Sequence, residues 1–274
     1  MSFTSPSLLE SSGARPPEEI VRGIAGRGPA LVALSGGVDS SVVATLAFAA
    51  LGTDAHAVTL VGPAVSEWEK SQAIEVARAI GIRQALVPVD PLELPQYRAN
   101  PSNRCYFCRV AEGSALREYA RLHQISQLLD GIHLDDLGDD RPGIRAMEEA
   151  GFSHPLVEAA WHKRDVRSFA RERALPNWDR PSEACLSSRI QHGDEISEEL
   201  LRKVEAAEAV VRAHGFRRVR VRVAHGVARI VVGPEEVVRL TGEPDREAIL
   251  RGIGRLGFDR VEIDPVGYRP RSSA

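Results

Sequence analysis

The sequence predicts an α/β protein in which a parallel sheet carries helices on both faces, with a small C-terminal α+β domain after it. Short apolar segments alternate with helical segments along most of the chain, which is the pattern of a parallel sheet. The alternation stops after about residue 193, where a long helix and a hairpin follow instead. We therefore expect a first domain over residues 16–193 and a second domain over residues 194–274.

Elements of the first domain follow from the start and stop residues around each apolar segment. Residues 1–15 are expected to be disordered, and the prolines of PPEEIVRGIAG then start the first helix. Ser66 is expected to cap a helix that Gly81 ends. The predicted strands are PALVAL, DAHAVTLV, RQALVPVD and ISQLLDG, and the other predicted helices are DSSVVATLAFAALG, SEWEKSQAIEVARAIG, CYFCRVAEGSALREYARLHQ and HKRDVRSFARERAL.

A long helix and a hairpin characterise the second domain. The segment ISEELLRKVEAAEAVVRAHG predicts a helix that Gly215 closes. The segment FRRVRVRVA alternates strictly, so its valines are expected on one face of a strand and its arginines on the other. GVARIVVG follows through Gly226, which indicates a hairpin, and two short helices and the strand DRVEID finish the chain.

Composition and charge limit the classes of function. Hydrophobic residues make up 43% and charged residues 27%, as in soluble globular proteins. The net charge of -3 provides no overall basic surface, which argues against a nucleic-acid partner. The N-terminus lacks the features of a signal peptide, and no apolar segment approaches the ~18 residues of a membrane span. We expect a cytoplasmic protein, without a membrane partner, whose thiols stay reduced.

The segment ALSGGVDSSVVA joins the first predicted strand to a helix. Backbone N–H groups of such a loop can bind one anion, and the helix N-terminus adds its positive dipole end. Ser35, Ser40 and Ser41 can donate hydroxyl hydrogen bonds, and Asp39 would cap the helix or help hold Mg²⁺ on a polyphosphate. The loop lacks the lysine by which a Walker loop reaches the β- and γ-phosphates. An ordinary glycine-bearing turn is the alternative.

Three cysteines, an odd number, argue against a disulfide framework. Cys105 and Cys108 stand three residues apart at the start of a helix, which puts both sulfurs on one side. They could form a redox pair, could stand together by coincidence, or could be half of a zinc site. The candidate further zinc ligands are His133, His162 and His192.

Cys185 lies among small and hydroxyl-bearing residues in PSEACLSSRIQHG. Arg189, four residues later, would pair with a phosphate through two hydrogen bonds and could help to keep a nearby thiolate ionised. The alternative is that Cys185 acts as a small buried hydrophobic residue.

SGGVDS after a first α/β strand resembles the PP-loop of the N-type ATP pyrophosphatases, whose fold is adenine nucleotide alpha hydrolase-like. The resemblance implies that the loop binds the β,γ-pyrophosphate of ATP, that AMP passes to a substrate oxygen and that pyrophosphate leaves. It also implies that the end of the second strand, Val58 to Leu60, contacts adenine through its backbone. The residues implied to bind ATP are Leu34, Ser35, Gly36, Gly37, Asp39, Ser40, Ser41, Thr59 and Gly131.

Four blocks together resemble the LarE family, PP-loop sulfur transferases that act in making the nickel-pincer nucleotide cofactor of lactate racemase. The blocks are ALSGGVDSSVVA, LDGIHLDDLGDDRPGIRAMEEAG, ACLSSRI and GFRRVRVRVAHGVARI. The resemblance implies a pyridinium dicarboxylate mononucleotide as the substrate, a small molecule. ATP would adenylylate one carboxylate, and a sulfur nucleophile would displace AMP to leave a thiocarboxylate.

Roles for single residues also come from this resemblance. Cys185 corresponds to the sulfur-handling cysteine, and Asp39 with Cys185 is expected to be catalytic. Ser188 and Arg189 are expected to hold a phosphate of the substrate or of AMP. Arg220 and Arg222 are expected near the substrate, with a solvated strand face as the alternative. Asp136 and Arg141 of the acidic block are expected to face the active site, together with Mg²⁺, although a solvated acidic loop is the usual interpretation of such a segment.

The cysteine pattern divides the resembled family. Members with one cysteine give up its sulfur and act once, whereas members with three hold a [4Fe-4S] cluster. Such a cluster, on Cys105, Cys108 and Cys185, would keep one open iron for sulfide from a sulfide donor. The alternatives are a sacrificial cysteine, a tRNA thiolase, an amide-forming synthetase and a nucleotide-binding regulator. The family also implies a homo-oligomer built through the C-terminal domain.

Overall fold

A computed structural model describes residues 13–137, 142–181, 184–242 and 244–268. Most of the segment predicted to be disordered, residues 1–15, lies outside these residues. Contacts between Cα atoms divide the chain into two units, unit 1 with Met1–Val89 and Cys105–Glu183, and unit 2 with Asp90–Arg104 and Ala184–Ala274. The sequence predicts one boundary near residue 193 instead, because nothing in the local pattern of residues 90–104 indicates that they pack with the C-terminal residues.

The strands and helices are numbered in chain order. The strands are β1 Ala30–Ala33, β2 Ala55–Val61, β3 Arg83–Pro88, β4 Gln127–Leu129, β5 Phe152–Ser153, β6 Val219–Ala224, β7 Val227–Val232 and β8 Arg260–Ile263. The helices are α1 Pro17–Ala25, α2 Val38–Leu51, α3 Glu67–Ile80, α4 Pro95–Arg98, α5 Arg104–Leu122, α6 Pro142–Glu149, α7 Pro155–Glu158, α8 Lys163–Glu172, α9 Glu198–Ala213, α10 Val237–Thr241 and α11 Asp245–Gly254.

Unit 1 contains a five-stranded parallel sheet with the strand order β3-β2-β1-β4-β5. The order changes direction at β1, which lies between β2 and β4, and ligands of such sheets bind at the carboxyl ends of the strands near this point. The predicted α/β fold is confirmed. The sequence did not indicate β5, because a strand of two residues is too short to show a period.

Successive residues of β1 pack on opposite faces of this sheet. Val32 belongs to a core cluster that includes Val42 of α2 and Phe169 of α8. Leu31 belongs to a second cluster that includes Leu116 of α5. Side chains of a strand alternate between the two faces of a sheet, so these two clusters show that helices cover both faces. A strand that is buried on both faces carries a continuous apolar sequence.

Unit 2 contains a three-stranded sheet with the order β6-β7-β8. β6 and β7 pair antiparallel, which confirms the predicted hairpin, whereas β8 runs parallel to β7. The turn consists of His225 and Gly226, both with positive φ (47° and 80°), as a tight two-residue hairpin turn requires. A separate core lies around Val221 and Ile230.

No helix among residues 13–137, 142–181, 184–242 and 244–268 has both the length and the apolar character that a membrane crossing would need.

Candidate active site

The loop between β1 and α2 lies directly against neighbouring backbone. Gly36 has a φ of +82°, and a Cβ atom on it would lie 2.8 Å from the backbone nitrogen of Ala73 in α3. A side chain at this position is therefore excluded both by backbone conformation and by space. Gly131, just after β4, approaches α2 as closely, since a Cβ atom there would lie 2.5 Å from the nitrogen of Ser40. These two glycines bring the loop, the N-terminus of α2 and the end of β4 together.

Hydroxyl groups of the loop bind the loop's own backbone. Ser40 Oγ and Ser41 Oγ donate to the carbonyl oxygen of Gly37 over 3.1 and 2.7 Å. Ser35 Oγ accepts from the Gly37 N–H over 3.3 Å. These contacts give the loop one compact conformation, and they bring together the three serines that the sequence predicts at the site.

Thr59 and Leu34 join two adjacent strand ends. Thr59 Oγ1 donates to the carbonyl oxygen of Leu34 over 2.6 Å, and Gln84 Nε2 donates to Thr59 Oγ1 over 2.8 Å. The buried Thr59 side chain is therefore used for structure, and the contact of Val58 to Leu60 with adenine stays a prediction.

Asp39 binds a cation rather than capping its helix. The N-cap of α2 is Gly37, with no side-chain cap, so the capping alternative for Asp39 is wrong. Asp39 stands inside the first turn, where each of its carboxylate oxygens lies 2.6 Å from Lys163 Nζ. Both side chains keep 28% of their surface exposed. The ammonium group of Lys163 therefore lies beside the loop, although no local sequence pattern connects this residue to it.

Three residues that the sequence did not indicate hold or face the loop, and all come from α8 or the segment after it. Lys163 is the first residue of α8. The buried Asn177 donates through Nδ2 to the carbonyl oxygen of Gly36 and to Ser41 Oγ, both over 2.8 Å. Arg180 donates through Nη2 to Glu75 over 3.0 Å. No motif or fixed spacing connects these residues to the loop, so the sequence offered no signal for them.

A cavity opens above the loop. Residues of the loop, of α3 and of the segment that begins with α8 line it: Ser35, Gly36, Gly37, Val38, Asp39, Trp68, Glu69, Gln72, Lys163, Arg180 and Pro181. Backbone N–H groups at a helix N-terminus and two basic side chains are groups that bind phosphate.

Asp136 of the acidic block lies near Asp39, and His133 stands between them. His133 Nε2 is 3.3 Å from Asp136 Oδ2 and 3.7 Å from Asp39 Oδ1. Asp135 accepts hydrogen bonds from His162 Nδ1 and from the Lys163 N–H, which lower the pKa of its carboxyl. Arg141, the other residue of the block that is expected to face the active site, lies outside the described residues.

His154 and Asp130 form a mostly buried pair at the carboxyl ends of β4 and β5. His154 Nδ1 lies 2.7 Å from Asp130 Oδ1. Burial lowers the pKa of His154, but the hydrogen bond to Asp130 and the negative charges of Asp130, Glu148 and Glu158 together raise it above 6.5. The pair makes this end of the sheet sensitive to pH.

In unit 2, Cys185 immediately precedes a 3₁₀ turn, Leu186–Arg189, whose arginine is buried. Arg189 donates through Nε and Nη2 to Glu208 of α9 over 2.8 and 3.2 Å. Its Nη1 donates to the carbonyl oxygens of Ala184 and Cys185 and to Ser188 Oγ. Arg189 therefore holds the backbone on both sides of the cysteine.

Arg220 and Arg222 differ in exposure, although residues two positions apart on a strand point to the same face. Arg220 is only 5% exposed and donates to the Val219 carbonyl oxygen, so a solvated strand face is wrong for this residue. Arg222 is exposed. A cavity of unit 2 is lined by Arg222 and by residues of the Cys185 turn and the sheet: Ser188, Arg189, Ile190, Gln191, His192, Val223, Ala224, Val227, Arg229, Arg260, Glu262 and Asp264.

Cys105 and Cys108 lie in the first turn of α5 in unit 1, the first exposed and the second half-buried. Cys108 Sγ donates to Glu112 Oε1 over 3.1 Å. None of the three cysteines, all of which the structure describes, forms a disulfide bond. Within the residues that the structure describes, no group of three or more His, Cys, Asp or Glu side chains is arranged to hold a metal ion. The cluster and zinc alternatives for these cysteines stay predictions.

Comparison with known proteins places these features in a family. The family model of NAD synthase matches residues 23–103, which include the loop. The uncharacterised protein slr1717 of Synechocystis sp. is 39% identical over 88% of this chain and 90% of its own length. The uncharacterised protein MJ0830 of Methanocaldococcus jannaschii is 29% identical over 87% of this chain and 90% of its own length.

A further relative has a named activity. The pyridinium-3,5-bisthiocarboxylic acid mononucleotide synthase of Lactiplantibacillus plantarum, which is LarE, is 32% identical over 87% of this chain and 86% of its own length. The NAD synthase model and this relative together identify an ATP-utilising enzyme. With its PP-loop between β1 and α2 and its parallel sheet, this chain belongs to the LarE family of PP-loop sulfur transferases.

Proposed function

We propose that this enzyme uses ATP to convert a carboxylate of a pyridinium dicarboxylate mononucleotide into a thiocarboxylate. One observation carries the proposal: the match to the Lactiplantibacillus plantarum synthase extends over 239 residues, which is longer than either unit. A match of this length includes residues of both units, and so goes beyond the ATP-binding part that many PP-loop enzymes share. The name of that relative specifies a pyridinium bisthiocarboxylic acid mononucleotide.

The first step activates the carboxylate at the PP-loop. A carboxylate oxygen of the substrate attacks the α-phosphorus of ATP, the bond from that phosphorus to the bridging oxygen breaks, and pyrophosphate leaves. Backbone N–H groups at Gly36 and Gly37 and the N-terminus of α2 oppose the negative charge of the pyrophosphate. Asp39, with Asp136 near it, would hold Mg²⁺, which neutralises part of the polyphosphate charge. The activated acyl group now carries AMP, a better leaving group than oxide.

The second step introduces sulfur. A sulfide-level sulfur attacks the acyl carbon and AMP leaves, so the thiocarboxylate forms without any change of oxidation state. We assign the sulfur-handling role to Cys185 and the substrate phosphate to Ser188 and Arg222. Arg189 donates through Nε and Nη2 to Glu208 and through Nη1 to the Cys185 turn, so its expected contact with a phosphate requires the exchange of one of these hydrogen bonds. The buried Arg220 supports the strand beside Arg222.

We also propose that Cys105, Cys108 and Cys185 hold a [4Fe-4S] cluster. Cys105 and Cys108 suit this role because they stand three residues apart on α5, which brings two sulfur ligands to one side of the helix. Cys185 is assigned as the third ligand from the resemblance to the three-cysteine members of the family. When bound, the cluster would supply an iron without a protein ligand at which sulfide can bind. The protein's own part would be to present three thiolates.

Product analysis tests the proposed reaction. Protein purified without oxygen is supplied with ATP, sulfide and either a pyridinium dicarboxylate mononucleotide or a tRNA, and in a separate assay with ATP, a carboxylate and ammonia. We expect AMP, pyrophosphate and thiocarboxylate in equal amounts, and only when the mononucleotide is the substrate. AMP formation with tRNA would instead indicate a tRNA thiolase, and formation of an amide would indicate a synthetase.

Iron and sulfide analysis with electron paramagnetic resonance tests the cluster separately. We expect many turnovers per chain, and loss of iron in Cys105→Ser and Cys108→Ser with pyrophosphate release retained. A protein without iron that makes one thiocarboxylate per chain and converts Cys185 to dehydroalanine would contradict the cluster and indicate a sacrificial cysteine.

A further inference from the structure

The PP-loop has no lysine of its own, although the polyphosphate that it is proposed to bind is strongly anionic. A Walker loop meets this charge with a lysine inside its motif. The segment from Ser35 to Ser41 contains only one charged side chain, and that one is the acidic Asp39. A basic side chain at this site must therefore come from outside the loop.

Lys163 is the first source of that charge. Its Nζ is 2.6 Å from both oxygens of Asp39, and it also lines the cavity above the loop. The ion pair is about a quarter exposed on each side, so water and ligands can reach it. A partly exposed pair of this kind contributes little to stability and exchanges partners readily, in contrast with a fully buried one.

Arg180 is the second source. Its Nη2 binds Glu75, but its Nη1 is buried and has no hydrogen-bond partner among the described residues. An unpaired buried donor destabilises a protein unless a ligand or water satisfies it. Arg180 lines the same cavity as Lys163, and the acidic Glu69 beside it is engaged with Ser66 at the start of α3.

We propose that Lys163 and Arg180 together bind the β- and γ-phosphates of ATP and so replace the missing loop lysine. This inference rests on the proposed ATP-dependent function. Lys163 Nζ exchanges Asp39 for phosphate oxygens, and Arg180 Nη1 gains the partner that it lacks. The released Asp39 carboxylate is then available to the Mg²⁺ of MgATP. Binding of the pyrophosphate group and placement of the metal become one event, because one ion pair must open for both.

Comparison of ATP with AMP tests this role directly, since AMP lacks the phosphates that the two cations are proposed to contact. Affinities of the full chain for Mg²⁺ with α,β-methylene-ATP, and for AMP, are measured by calorimetry. We expect Lys163→Met and Arg180→Met each to weaken binding of the ATP analogue about 10- to 100-fold, the range for a charged hydrogen bond. Binding of AMP should change less than about threefold, and Lys163→Arg should restore most of the loss.

Two matched controls remove the same charge from exposed positions. Arg164→Met alters the next residue of α8, and Arg78→Met alters an exposed position of α3. Both should bind the analogue as the parent protein does. The proposal would be overturned if Lys163→Met and Arg180→Met both kept the parent's ratio of affinities for the ATP analogue and for AMP. An equal loss of affinity for the analogue and for AMP would be such a result. If the parent protein itself bound ATP no better than AMP, the proposed function would fail instead.

Discussion

Each of the two units contains a basic residue paired with a carboxylate next to residues expected to act in the reaction, and the pairs differ in burial. Lys163 and Asp39 in unit 1 each keep 28% of the side chain exposed. Arg189 and Glu208 in unit 2 keep 2% and 5%. The exposed pair can open for a ligand at small cost, whereas the buried pair cannot open without leaving a charge in the interior.

This difference separates two kinds of function. The pair at the PP-loop is suited to exchange, because a phosphate can take the place of its carboxylate. The pair at the Cys185 turn is suited to permanent positioning, because Glu208 accepts from Arg189, from Arg212 and from the Val221 N–H at the same time. The Lys163–Asp39 pair is thus suited to rearrangement, and the Arg189–Glu208 pair to a fixed position.

The largest expected effect is on activity, and it separates pyrophosphate release, assigned to unit 1, from sulfur transfer, assigned to Cys185 of unit 2. Asp39→Asn should reduce pyrophosphate release and thiocarboxylate formation together, each by at least about 100-fold, because both depend on MgATP. Cys185→Ser should abolish thiocarboxylate formation but leave pyrophosphate release within a few-fold of the parent. The measurement is parallel assay of pyrophosphate and thiocarboxylate in each variant. A Cys185→Ser protein that still formed thiocarboxylate would remove the assigned role of the cysteine.

A smaller effect, on stability, tests the comparison of the two ion pairs. Glu208→Gln leaves the Arg189 guanidinium buried without its counter-charge, which costs about 3 kcal/mol. Asp39→Asn breaks a partly exposed pair and should cost less than about 1 kcal/mol. Hydrogen exchange of the full chain is the measurement, because it reports each unit by its own peptides.

We expect exchange to speed up about 100-fold at the Val221 amide in Glu208→Gln, and less than about fivefold in α2 in Asp39→Asn. Equal acceleration at the two sites would show that burial does not distinguish the pairs. The exposed pair of Arg202 and Glu198, on the same helix as Glu208, provides a control through Glu198→Gln.

The smallest expected effect is the pH dependence of stability in unit 1. The pKa of His154 is raised in the folded protein. The pair with Asp130 therefore makes its full contribution to the stability of the fold at pH values below the unfolded pKa of 6.5. That stabilisation is lost as pH rises through the folded pKa. Titration of the His154 ring by nuclear magnetic resonance should show a pKa above 6.5 that falls in Asp130→Asn. A ring that titrates below 6.5 in the parent protein would contradict the assignment.

Much of the fold could be predicted because its signals are local. The alternation of apolar and helical segments indicated the parallel sheet, and the positive φ of Gly226 agrees with the predicted hairpin. The loop residues Ser35, Gly36 and Ser41 were also indicated, since a strand, a glycine pair and a helix follow one another directly. The packing of residues 90–104 with unit 2 gave no such signal, because it depends on contacts with residues distant in the chain.

The sequence by itself determined the sheet, the place of the PP-loop, and the residue types available for sulfur chemistry. Tertiary structure alone decided that Lys163 meets Asp39 across 124 positions and that Asn177 holds Gly36. It also decided that Arg220 is buried while Arg222 is exposed. The physical reason is the range of the interactions. Backbone conformation and periodicity are set by neighbouring residues, but the partner of a charged side chain is set by which elements pack together.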